Sequence, residues 1–234
     1  MAFFVDSLQS AFHLLLRWDP ELLEIVGVSL RVSFSATVIA AILGIPAGCA
    51  IGWTRFPGKR LLLTCLNTLL ALPTVVIALL VYSFISRRGV LGSYELLYTQ
   101  KAIVIGQIIL ILPVITTLTI AAISRLDSRY RTTALTLGAN TKQMAMVVLK
   151  EARYGILAAV IAAFGRVIAE VGISMMLGGN AKGFTRTMTT AMALEYDKGE
   201  FVLAIALGIV LMSLAFLINM LFHFFQGRTH SDAL

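Results

Sequence analysis

The chain has 234 residues and a net charge of +7; 59% of its residues are hydrophobic and only 13% are charged. A soluble domain carries about a quarter of charged residues, so a water-soluble globular core is excluded. The positive charge is spread between apolar blocks rather than gathered on one face, so a nucleic-acid partner is not expected.

Residues 1–33 read as an N-terminal interfacial segment. Phe4, Leu8, Phe12 and Leu15 recur at helical spacing, which predicts an amphipathic helix on a membrane face. No basic n-region precedes them and Asp6 comes early, so no cleavable signal peptide is expected. Five apolar blocks follow: Phe34–Trp53, Leu61–Ile85, Ala102–Ser124, Gly155–Met176 and Phe201–Phe225. About 20 residues suffice to cross a hydrocarbon core of roughly 30 Å as a helix. One block could be a buried core helix, but five predict an all-α membrane protein, a polytopic bundle of about five transmembrane helices over residues 34–225. Residues 226–234 make a short tail.

Pro46, Pro73 and Pro113 fall inside three of these blocks, where each removes a backbone donor and kinks or loosens its helix. Cys49 and Cys65 lie in apolar sequence without a CxxC partner, and His13, His223 and His230 form no spaced cluster, so neither a disulfide framework nor a metal site is expected. Gly52 to Lys59 imitates a phosphate loop but fails as one. Five residues separate Gly52 from Gly58, and Arg60 stands where magnesium would need a Ser or Thr. No cofactor is expected on this chain.

One set of connections, residues 54–60, 125–154 and the tail, holds ten basic residues against three acidic ones. The other set, residues 1–33, 86–101 and 177–200, holds eight of each. Counting basic residues alone, as the positive-inside rule does, this predicts the first set, and the C-terminus, in the cytoplasm and the N-terminus outside.

Arg166 and Glu170 are the one charged pair deep in a span. Their i, i+4 spacing puts them on one face of a continuous helix. Each alone would cost about 2.5–3.5 kcal/mol at the bilayer centre, so they should pair or face a polar cavity. Two readings stay open: an anion route lined by Arg166, or an internal ion pair that fixes packing. Hydroxyls cluster at Ser29, Ser33, Ser35 and Thr37, and again at Thr185, Thr187, Thr189 and Thr190; they either donate to a passing anion or satisfy helix backbone. Gly178, Gly179 and Asn180 close the fourth block and read as an outer gate or a helix cap.

The connection after the third block is polar yet helical in period, and Gly138–Ala139 interrupts it. A helix–Gly–helix there makes a knob that a partner could grip. In this stretch the chain resembles the inner-membrane permeases of bacterial ABC importers, whose signature is Glu-Ala-Ala, three residues, Gly, nine residues, Ile-x-Leu-Pro. Ala134, Gly138, Ala139 and Val148 fit that pattern, while Thr132 and Thr133 replace its Glu and first Ala, and Lys150–Glu151 stand for Leu-Pro. The resemblance implies a coupling loop that includes Thr132, Thr133, Ala134, Gly138, Ala139, Thr141, Lys142 and Val148. Residues 164–172 and 177–188 look like the matching stretch of molybdate and tungstate permeases, and residues 55–60 and 86–92 are nearest the tungstate branch. The resemblance runs from about Leu22 onward. It implies a type I importer permease that works as two copies, with two ATPase subunits that hold ATP and magnesium and an extracytoplasmic binding protein. It also implies an oxyanion cargo, most closely tungstate, with molybdate or sulfate as alternatives. A gradient-driven secondary transporter would require more spans, internal repeats and more intramembrane ionisable groups. An intramembrane enzyme would require a His/Asp/Ser or metal constellation that the spans do not supply.

Overall fold

The computed structural model describes residues 2–54, 56–126, 132–133 and 136–231, the side chains of 2–8, 141–142 and 225–231 excepted. Among the described residues every regular element is a helix. Helix α1 (Ala2–Leu16) ends in a turn through Trp18, whose φ is 54°. Leu14 and Leu15 pack against a cluster that contains Ala11, whereas Phe12 is exposed. Helix α2 (Pro20–Trp53) starts where Asp19 accepts from the Glu21 and Leu22 N–H groups at 2.9 and 3.1 Å. An Asp N-cap followed by proline at the first helical position is a strong start signal. The first membrane helix therefore begins at Pro20 and not at Phe34. Hydropathy found its most apolar part and missed the start, which carries Glu21, Glu24 and Arg31.

Gly44 and Gly48 let α2 lie close against α5 (Gln100–Ser124): a Cβ at Gly48 would meet Thr119 at 2.7 Å. Small residues four apart permit this approach between membrane helices. The second apolar block is two helices, α3 (Lys59–Leu70) and α4 (Thr74–Ile85), bent by 98° across residues 71–73. Pro73 lacks an N–H and disfavours helical backbone at Leu72, so the helix ends there. Pro46 and Pro113, by contrast, lie within α2 and α5, which continue past them. A 3₁₀ turn (Gly92–Tyr94) leads to α5.

Helix α6 (Thr141–Ile168) opens on a capping box at Asn140 and Gln143. It is followed, after a 60° bend, by the short α7 (Gly172–Gly178), so the fourth block is also broken. Helices α8 (Met188–Lys198) and α9 (Phe201–Ser231) complete the bundle. Among the described residues, three helices (α2, α5 and α9) are long and apolar enough to cross a membrane, and each bent pair counted as one span brings the number to five. The main core joins α2, α4, α5, α6 and α7 around Ile111, Ile115, Ile173 and Leu177; a second joins α1, α2, α6, α8 and α9 around Met188 and Leu207.

Candidate functional site

The bend between α6 and α7 frees backbone groups inside an apolar layer, and specific side chains meet them. Glu170, 8% exposed, accepts from the Ile173 N–H through Oε1 at 3.2 Å. Thr189 on α8 donates to the Glu170 carbonyl at 2.8 Å. Gln107 on α5 donates through Nε2 to the Val167 carbonyl at 3.4 Å. Gln107 lies seven residues into α5, about 10 Å from its start on a helix of roughly 37 Å. The bend therefore sits in the third of the bundle nearest the Gln100 end. A buried carboxylate facing the first turn of α7 is favoured by the N–H groups there.

Arg166 does not reach Glu170: no ion pair joins them. The i, i+4 expectation assumed a continuous helix, and α6 ends at Ile168 between the two residues. Arg166 is exposed and donates through Nη2 to the Leu70 carbonyl at 3.3 Å, at the end of α3. It thereby links the two bends. Thr64, Asn67 and Thr68 form an exposed polar stripe on the same helix. Asn67 and Gln107 are absent from the sequence-based candidates, whereas Thr189, one of the clustered hydroxyls, satisfies backbone at the bend. The first was detectable as a polar residue at i, i+3, i+4 spacing with two threonines inside an apolar block.

The remaining predicted positions fall at the two ends of the bundle. At the Gln100 end, Gly178 faces Ile103 and Gly179 faces the Tyr98 ring, where a Cβ would come within 2.6 and 2.7 Å. Gly179 (φ 71°) closes α7 and Asn180 (φ 51°) continues the turn. Thr185 donates to the Gly178 carbonyl at 2.6 Å, Thr187 caps α8, and Ser29 accepts from the Met188 N–H at 2.7 Å. These hydroxyls are committed to backbone. Glu21 ties the turn to α2 through Lys182 at 2.8 Å and Arg186 at 3.6 Å. An open cleft of about 700 Å³ lies beside it, lined by Leu79, Tyr82, Tyr98, Met175 and Met176 among others.

At the Ser124 end, Lys59 donates to the Gly52 and Thr54 carbonyls at 3.1 and 2.9 Å, so the false phosphate loop caps α2 instead. Beyond α5, Thr132 and Thr133 are helical and the Leu137 N–H donates to the Thr133 carbonyl at 3.0 Å. Gly138 turns the chain with φ 79°, and Ala139 leads to the Asn140 cap. Val148 is buried against Cys49 and Ile123, whereas Leu137 is 82% exposed. Ala134 and the side chains of Thr141 and Lys142 lie outside the described residues.

Residues 44–231 match the family described as the binding-protein-dependent transport system inner membrane component, and the chain belongs to that family. It is a transport component, not an enzyme. It is 39% identical over 213 residues to a probable anion ABC transporter permease of Haloferax volcanii, covering 89% of this chain and 92% of that one. It is 37% identical over 226 residues to the tungstate uptake system permease TupB of Peptoclostridium acidaminophilum, covering 97% and 99%. The fold is similar to that of the inward-facing MetNI methionine ABC transporter, with a TM-score of 0.70 at 18% identity over 90% of this chain and 95% of the other.

Proposed function

We propose that this chain is the permease subunit of an ATP-binding-cassette importer whose cargo is tungstate. Two copies form the translocation route about a two-fold axis. Two ATPase subunits, which hold the ATP and magnesium, grip the turns at Gly138, and an extracytoplasmic binding protein delivers the ion to the turns at Gly179. The N-terminus then lies outside and the C-terminus in the cytoplasm. The observation that carries the reading is the near full-length similarity to a tungstate uptake permease. The helix–Gly–helix turn at Gly138, with Leu137 on its surface, supports the coupling role. Closure of the ATPases brings the two turns together and opens the helices outward; hydrolysis resets them.

The test is ATP-driven uptake into proteoliposomes that hold the permease, its ATPase and its binding protein. Tungstate should accumulate in preference to molybdate and sulfate, and preferred uptake of another anion would overturn the cargo assignment. Coupling is tested at Gly138. Open space surrounds a Cβ there, so the demand for glycine comes from φ 79° alone, a region costing an ordinary residue about 1–2 kcal/mol. Gly138→Leu should insert normally yet lose stimulation of hydrolysis by the loaded binding protein. Gly138→Asn should keep most of it, because Asn tolerates this backbone. Full stimulation in Gly138→Leu removes the loop from the coupling path.

A further inference from the structure

We propose that Asn67 and Arg166, with the same residues of a second copy, form the point inside the membrane where the transported oxyanion is recognised. The inference rests on the two-copy oxyanion importer above and adds the residues that contact the ion.

Helix α3 buries no residue, although its sequence is mostly apolar. Its exposed polar stripe cannot face lipid unless each group finds a partner, since hydrocarbon offers none. Two members are satisfied within the helix: Thr64 donates to the Arg60 carbonyl at 3.0 Å and Thr68 to the Thr64 carbonyl at 2.9 Å. The Asn67 amide has no partner among the described residues. About one turn further along α3, the Leu70 carbonyl receives a single N–H of Arg166. A guanidinium has five such donors in a planar fork suited to an oxyanion. Among the described residues the others are uncommitted, and Glu170, the one carboxylate near in sequence, faces Ile173 instead.

Among the described residues, a cation without a counter-ion and an amide without a partner thus lie exposed about one turn of α3 apart, beside the two helix bends. Lipid would make both costly, and a tetrahedral oxyanion uses both. Two copies supply two guanidinium charges, which balance a dianion such as tungstate. The neutral amides orient the ion without holding it as further arginines would, and a transport site needs that weakness for release.

The test uses the reconstituted complex in a Cys49→Ala/Cys65→Ala background. Asn67→Cys should react with a charged, membrane-impermeant methanethiosulfonate, and tungstate with cycling ATP should slow the reaction. An unreactive thiol means that the face is dry or lipid-covered and overturns the proposal. Arg166→Gln should lower tungstate uptake by about tenfold or more, the size expected for a lost charge-assisted bond. Asn67→Leu should lower it less, and hydrolysis stimulated by the loaded binding protein should persist in both. If uptake and hydrolysis fall together in both variants, the residues only support the structure and the proposal fails. If the unsubstituted complex hydrolyses ATP but moves molybdate or sulfate and no tungstate, the cargo assignment fails alone. Protection of Asn67→Cys by the anion that is moved then still decides this site.

Discussion

The α6–α7 bend and the α3–α4 bend interrupt apolar sequence in opposite ways. At α6–α7, Gln107 and Thr189 reach in from two other helices, and Glu170 closes the first turn of α7. Gly106 lets α5 come so near that a Cβ would meet Ile173 at 2.6 Å. At α3–α4 the bonds are local: Ala71 N–H to Thr68, Leu72 N–H to Leu69 and Val76 N–H to Pro73. Arg166 supplies a bond from elsewhere in the chain, and α3 buries nothing. A bend sealed by its neighbours cannot open without orphaning buried polar groups, whereas a proline bend beside an exposed helix can change angle cheaply. The difference leaves α6–α7 with more long-range bonds to lose on a change of angle than α3–α4.

The largest effect should come from the sealed bend. Glu170→Leu strands the buried Ile173 N–H, which costs about 1–3 kcal/mol, and it also leaves the first turn of α7 without its carboxylate. We expect a clear drop in the thermal aggregation midpoint of the purified complex. Glu170→Gln keeps an oxygen for the same bond and should stay near the native midpoint. A Glu170→Leu protein as stable as the native one would break the contrast.

A paired substitution sharpens it at intermediate size. Gly106→Ala forces a methyl group against Ile173 and Leu177, an overpacking typically worth about 1–3 kcal/mol. Pro73→Ala only frees an extended residue with φ −62°, a change of about 0.4–1 kcal/mol through the unfolded chain. Equal losses of stability would mean that the two bends are held alike.

The five apolar blocks were legible because bilayer thickness sets a minimum length that composition alone reveals. The bends were only half legible. Pro73 announced one, since proline cannot continue the hydrogen-bond ladder. The other carried no proline: residues 169–171 read Ala-Glu-Val, and hydropathy is blind to direction. Glu170 was the available signal, a carboxylate three residues ahead of a backbone N–H that it could accept from. It was read instead as the i, i+4 partner of Arg166, because a continuous helix was assumed. The start of α2 is signalled by Asp19–Pro20, but an apolar block counted by hydropathy begins at Phe34, past the charges at Glu21, Glu24 and Arg31. Gly138 stands at the turn that its place in the sequence predicts, and the demand for glycine there comes from its backbone angle and not from close packing.

The smallest expected effect is a coupling energy. Arg166 and Glu170 have separate partners, the Leu70 carbonyl and the Ile173 N–H, and no bond joins them. Substitutions more than about 7–10 Å apart without shared partners add to within about 0.3–0.5 kcal/mol, and residues that do contact one another depart from additivity by about 0.5–3 kcal/mol. For two residues four apart it is the missing bond that predicts a small coupling. The stability loss of Arg166→Leu/Glu170→Leu should therefore equal the two single losses together, measured as aggregation midpoints under one condition. Were the two charges to neutralise one another, either single variant would leave an orphaned charge, and the double variant would recover stability relative to both. Such recovery would restore the ion pair and join Arg166 to the α6–α7 bend. Additivity keeps Arg166 on the α3 side, where its remaining donors are open to an anion.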